Sequence, residues 1–197
     1  MSTARSSLTR RVFDFWFGEA SVDAEIRSQF LQDVESTVES TAKFESLQLD
    51  PQDALAGTIL LDQFTRNMFR DSPRMFAHDP LALQLARVAV KKGFDMQISH
   101  PLMRTFFYMP FMHSEDLVAQ DEGMELFQKA FTIEPEESPY KENLAGNISY
   151  MKRHRDIIAK FGRFPHRNEN LGRTSTAEET AFLTGGGDTF DSRQNKK

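Results

Sequence analysis

The sequence predicts an all-α protein, and three observations carry that reading. Apolar residues recur at three- and four-residue intervals through nearly the whole chain. Alternating strand patterns closed by tight Asn-Gly or Asp-Gly turns are absent. Helix starts are marked: Asp50-Pro51, Asp79-Pro80 and Ser138-Pro139 each set an N-cap acceptor before a proline, whose missing N–H costs nothing at the first helical position.

Taken in order, the periodicity predicts helices near 8–17, 22–38, 51–70, 80–93, 101–107, 115–131, 139–161 and 176–183. Acidic Asp14 and Glu19 indicate that structure has begun in the first of these, although Arg5, Arg10 and Arg11 leave a mitochondrial presequence conceivable. The third helix takes its apolar surface from Leu55, Ile59, Leu60, Phe64 and Met68. Asp53-Ala54-Leu55-Ala56 echoes Asp79-Pro80-Leu81-Ala82, as two similar helices packed side by side would. Ser114 reads as the N-cap of the sixth helix, with Glu115 and Asp116 offsetting the helix dipole. In the seventh, Tyr140, Leu144, Asn147, Met151, His154, Ile158 and Phe161 follow a 3-4 spacing that marks one packed face. Thr176-Ala177-Glu178-Glu179 is a capping box that opens the last helix.

At 197 residues the chain is long enough for one core, so residues 1–184 read as a single domain. Residues 185–197, from the Gly185-Gly186-Gly187 run onward, read as a disordered polar tail. The chain holds 18 Phe against three Tyr and one Trp, which points to an interior of flat hydrophobes. It has no cysteine, which excludes disulfides, thiolate nucleophiles and Cys-ligated metals and fits a reducing, cytoplasmic compartment. No apolar run is long enough to span a bilayer. The net charge of −5 hides a segregation. Glu115 to Glu142 carries nine acids against two bases, and Met151 to Arg173 carries seven Lys or Arg against two acids. Those are either two faces that attract each other within the fold or an anion site on the basic segment. Nucleic acid is not expected as a partner, because the rest of the chain is acidic.

Five stretches set polar groups among Phe, Leu and Met. They are 61–67, 108–116, His154, 163–168 and 171–173. Burying such groups costs several kcal/mol unless they find one another or a ligand. Asp62 and Arg66 lie four apart and so stack along the third helix, as do Gln63 and Asn67, and Arg66 and Arg70. That arrangement is either an exposed ion-pair stripe, a buried structural network or a ligand site. His154 on its packed face is either a satisfied core residue or a proton-transfer group. Arg163, Arg167 and Arg173 can clamp a carboxylate or phosphate, or pair with the acidic segment. Capping accounts for Ser114, Glu115 and Asp116 but leaves His113 unexplained. No HExxH, Walker loop, GxGxxG or GxSxG is present, and no metal set or cofactor is expected.

These motifs together resemble the family catalogued as domain of unknown function nine-two-four, classed with tetratricopeptide-like all-helical folds. The resemblance runs from Val12-Phe13-Asp14-Phe15-Trp16-Phe17-Gly18 to about Leu183. Its most specific parts are Leu60-Leu61-Asp62-Gln63-Phe64 with Arg66-Asn67, then His113-Ser114-Glu115-Asp116, then 161–168 with Leu171-Gly172-Arg173. Thr65 stands where the family usually has proline. Met112 stands where an acid is expected before the histidine, which removes a carboxylate from the supposed polar centre. The resemblance implies a right-handed superhelix of antiparallel helix pairs and supplies no activity.

Three functional readings are open. In the first, Asp62, Gln63, Arg66, Asn67, Arg70, Tyr108, Glu115, His154, Arg163, Arg167, Asn168 and Arg173 line one polar pocket for a small anionic molecule or a peptide carboxylate. In the second, the protein is a hydrolase with His113 or His166 as general base, with or without a metal. In the third, the polar motifs only lock helix packing in an interaction scaffold.

Overall fold

A computed structural model describes residues 6–18 and 23–190. Among these, every regular element is helical: α1 (Ser7–Trp16), α2 (Asp23–Glu39), α3 (Thr41–Ser46), α4 (Pro51–Thr58), α5 (Thr65–Met68), α6 (Asp79–Lys91), α7 (Pro101–Arg104), α8 (Met109–His113), α9 (Leu117–Ile133), α10 (Lys141–Phe161) and α11 (Ala177–Thr184). Short 3-10 turns at Pro73–Phe76, Asp95–Gln97, Thr105–Phe107 and Pro165–Arg167 join several of them. No described helix is long and apolar enough to cross a membrane.

Asp50 caps α4 as expected, its carboxylate accepting from the amides of Gln52 and Asp53. Thr176 and Glu179 form the expected capping box. Gly162 ends α10 with φ of 69°, a left-handed conformation that glycine adopts without strain. Other starts differ. Asp79 does not cap α6, because its carboxylate is drawn to Arg66 and Arg167. Asp116, not Ser114, caps α9, so Glu115 is outside the helix and free to pair elsewhere. Ser138 accepts from Tyr140 in the turn ahead of α10. α3 falls in a stretch with no predicted helix, capped by Ser40.

The predicted 51–70 helix is one continuous rod with a defect. Between α4 and α5 the segment Ile59–Phe64 winds as a π-helix, whose wider turn re-aims the side chains beyond it. Thr65 closes this turn by donating its hydroxyl to the Leu61 carbonyl at 2.7 Å.

The rod is the centre of the molecule. Leu55, Ile59, Leu60, Leu61 and Phe64 on it are fully buried. Phe64 meets Phe30 of α2 at 4.7 Å and Trp16 of α1 at 5.5 Å between ring centroids. α4 packs on α6, as the sequence echo implies, with Gly57 so close to Leu47 and Leu85 that a Cβ would lie within 3 Å of both. The two run antiparallel: Asp79 at the start of α6 meets Arg66 beyond the end of α4, and Lys92 after its end meets Gln48 ahead of α4. α9 and α10 also run antiparallel. Lys141 at the start of α10 reaches the carbonyls of Phe131 and Glu134, while Arg155 farther along pairs with Asp121. A separate small apolar cluster, Ile157, Ile158 and Phe164 with Phe161, Phe182 and Phe190, holds the C-terminal segment.

Candidate functional site

Between the main core and this small cluster lies a cavity of about 640 Å³. Gln63, Arg66, Asn67 and Arg70 from the end of the rod form one wall. His113 of α8, His154 of α10, and His166 and Arg167 of the last 3-10 turn face them. Met75, Phe76, Tyr150, Leu183 and Phe190 supply the apolar part, and Asp71, Glu169 and Asn170 also line it.

Asp62 sits behind the wall with its side chain 1% exposed. It is the hub of the polar network. Its oxygens lie 2.8 and 3.0 Å from Nδ1 of His113, its Oδ1 is 3.0 Å from Nη1 of Arg66, and Gln63 donates to its Oδ2. Burial works to raise this carboxyl, but Arg66, His113 and Gln63 together bring it down to about 2. His113 is lowered, by burial first and then by Arg66, against the pull of Asp62. The pair is therefore a carboxylate and a neutral imidazole at neutral pH. An ionised Asp62 has no proton to give, so Nδ1–H of His113 donates to it and the lone pair is left on Nε2. Nε2 makes no protein hydrogen bond among the described residues, and the ring lines the cavity.

The arginines next to it are tied to the same network. Nη2 of Arg66 is 2.9 Å from each oxygen of Asp79, and Nη1 donates to the Asp62 carbonyl. Arg167 donates to Asp79 at 3.2 Å and to the His113 carbonyl at 2.8 Å. Its guanidinium is clamped between Phe76 and Phe164, 4.5 and 4.4 Å from the ring centroids. Burial lowers Arg167 to about 10, so it stays charged. Two guanidinia thus face two carboxylates. Nε of Arg167 and Nδ1 of His166 are buried with no protein partner.

His154 and His166 are also kept neutral first by burial, without a carboxylate hydrogen bond. Burial takes His154 down to about 2; its Nδ1 bonds the Tyr150 carbonyl at 2.8 Å. Burial and then Arg167 take His166 to about 4. Among the described residues, no group of three or more His, Asp or Glu is placed to hold a metal ion.

A family model described as "Bacterial protein of unknown function (DUF924)" matches residues 6–187. The chain belongs to the DUF924 family. It is also similar to a solved structure from Agrobacterium tumefaciens, itself titled a protein of unknown function. That match has 32% identity and a TM-score of 0.77, over 92% of this chain and 99% of that one. A search of curated proteins gives no match.

In this DUF924 protein the predicted polar residues divide into two groups. Gln63, Arg66, Asn67, Arg70, His113, His154, His166 and Arg167 meet at the cavity, with Asp62 directly behind. Tyr108, Glu115, Arg163, Asn168 and Arg173 do not line it. The Tyr108 hydroxyl donates to Asp95 at 2.9 Å inside the core, against Phe127. Glu115 receives both Nη groups of Arg173 and the Phe164 amide. Burial would raise its carboxyl, but the Arg173 and Phe164 hydrogen bonds outweigh that and hold it below its usual range. Arg163 forks onto Glu179 at 2.6 and 2.8 Å, and Asn168 bonds Ser175, Glu179 and Arg173. These pairs fasten the 162–176 loop to the turn between α8 and α9 and to α11. Met112 is a core residue, 2% exposed, so the departure from the family pattern there takes nothing from the cavity.

Phe76, Tyr150 and Phe190 are cavity residues that the polar motifs did not point to. Tyr150 is one turn before His154, a spacing visible in the sequence. Phe190 carries no such signal, and it corrects the expected tail. Residues 185–190 pack back on the fold, with the Phe190 ring stacked on His154. The remainder of that tail, 191–197, lies outside the described residues.

Proposed function

We propose that the cavity binds a small organic anion whose charged group meets Arg66 and Arg167, and that His113, held by Asp62, accepts a hydrogen bond or a proton from a hydroxyl or N–H group that the ligand also carries. The observation that carries this reading is the Asp62–His113 pair, which engages Nδ1 and leaves Nε2 of a cavity-lining ring without a protein partner among the described residues, flanked by Arg66 and Arg167. A carboxylate-backed imidazole has a fixed tautomer, which leaves its outer nitrogen as an acceptor. Arg66 and Arg167 are balanced by Asp62 and Asp79, so they supply directed N–H groups rather than a strong net field. That favours a small polar anion over a large polyanion such as nucleic acid. A peptide carboxylate fits the arginine side of the site, with a peptide N–H as the donor to His113. The antiparallel α4–α6 and α9–α10 pairs support a tetratricopeptide-like superhelix, and the cysteine-free sequence supports a cytoplasmic setting.

The test is NMR of the histidine rings during titration with inorganic phosphate and with benzoate. Saturable shifts at His113 and His166 are expected, and with phosphate, whose hydroxyl can donate to Nε2, those at His166 should weaken in His113→Gln. Rings undisturbed by either probe would end the anion reading.

The second reading is hydrolysis with His113 as general base. The same pair favours it, and it selects His113 over His166, which has no carboxylate partner. It predicts turnover on a panel of simple esters and phosphate esters that disappears in His113→Gln while the fold survives. Equal turnover in both proteins would remove it.

A further inference from the structure

The side chain of Phe190 lies in an enclosure of rings. It stacks on His154 with centroids 3.5 Å apart and planes at 15°. Tyr150 meets it edge-on at 5.3 Å, His166 at 5.8 Å and Phe164 at 6.4 Å. Neutral imidazoles and phenyl faces arranged in this way form a subsite for a flat ring, and the chain fills it with its own.

Beyond these ring contacts and the Arg153 guanidinium 5.5 Å from its centroid, little holds the ring there. Phe190 has φ of 54°, a left-handed conformation that an aromatic residue adopts only under strain. Among the described residues, no backbone–backbone hydrogen bond holds Asp188, Thr189 or Phe190. The anchor is a two-point ion pair of Asp188 with Arg153 on the surface, with side chains 35% and 46% exposed. Such pairs contribute little. Gly186 precedes the segment with φ of 82°, and Gly187 lies against the Phe182 ring where a Cβ would approach within 2.5 Å of it. The strap thus has a glycine hinge, a strained tip and a weak clasp.

We propose that Phe190 is a removable plug in the site, and that the ligand is an anion carrying a flat aromatic group which takes the plug's place on His154. This rests on the anion reading above for the ligand's charge, but the plug itself is tested without any ligand. The strap leaves on breaking the Arg153–Asp188 clasp, turning about Gly186, and the face of His154 is then open to the cavity.

Two measurements decide it. The first is the rate of diethyl pyrocarbonate labelling of each histidine, read by peptide mass spectrometry, in wild type, Asp188→Asn and Phe190→Ala. His78 and His100 serve as internal references. Loosening the clasp with Phe190 intact is expected to raise labelling of His154 at least about fivefold, and removing the ring to raise it further. A rise in Phe190→Ala alone makes Phe190 a fixed wall and overturns the plug; no rise in either variant overturns it as well. The second is binding of benzoate and acetate by calorimetry. Phe190→Ala is expected to bind benzoate several-fold more tightly than wild type, with acetate unchanged. Equal benzoate affinity overturns the shared subsite. Failure of both anions to bind either protein sinks the anion reading and with it the ligand assigned to the plug, while the labelling result still judges the strap.

Discussion

Asp62 is 1% exposed and ionised, a state that burial alone opposes. It survives because Arg66, His113 and Gln63 all address the same carboxylate. Removing its charge leaves Arg66 with Asp79 as its remaining counter-ion and frees the His113 ring to choose either tautomer. Asp62→Asn should therefore cost about 3 kcal/mol of unfolding free energy in urea titrations. It should also shift His113 away from the Nδ1–H tautomer, seen in ring ¹⁵N chemical shifts. An unchanged midpoint would mean that the network is not stabilising. The i, i+4 spacing of Asp62 and Arg66 was legible in the sequence, but their shared partners were not. His113 is 51 residues away from Asp62 and Asp79 is 13 from Arg66, and no local pattern encodes those approaches.

At the scale of elements, the same local signals served some helices and misled others. Asp50-Pro51 behaves as capping chemistry dictates because no stronger partner competes for it, and the Thr176 box forms because Glu179 Oε2 accepts from the Thr176 amide and Arg163 together. Asp79, Ser114 and Glu115 look like caps too, but Arg66 and Arg167 claim Asp79 and Arg173 claims Glu115. A charge-assisted bond outcompetes one to a neutral amide. The π turn at Ile59–Phe64 has no compositional mark, since its cause is a shift of hydrogen-bond register. Two predictions belong here. Glu179→Gln removes the partner of Arg163 and weakens the capping box, so α11 amides should exchange with solvent about tenfold faster or more, with little change in α4. Uniform acceleration over the chain would show that α11 is not a separable unit. Gly57→Ala forces a methyl against Leu47 and Leu85 where α4 meets α6. Thermal and urea denaturation should show a loss of about 1 to 3 kcal/mol, and no loss would mean that those two leucines yield freely.

The whole molecule closes its site with three imidazoles that the fold keeps neutral, and this makes its stability a function of pH. Burial lowers His154 to about 2 and His166 to about 4, against 6.5 for an unperturbed ring. His113 is lowered in the same sense. A histidine depressed in the native state binds its proton more readily once unfolded. Stability from these rings is complete above the unfolded value and falls as pH drops below it. Each ring contributes a slope of up to about 1.4 kcal/mol per pH unit while only the unfolded state is protonated. Between about pH 6 and pH 5, His154 and His166 together should lower the unfolding free energy by roughly 2 to 3 kcal/mol. Below about pH 4 the loss from His166 levels off as the native ring also takes up its proton. The Asp62 carboxylate, held at about 2 against 3.8, then begins to add to the loss from His154. The measurement is a set of urea titrations from pH 7 to pH 4 on wild type and His154→Leu. The variant should show a slope smaller by about one proton, whatever its starting stability. A wild-type curve flat from pH 7 to pH 5 would mean that these rings are open to solvent, and so that the Phe190 strap does not cover His154 in solution.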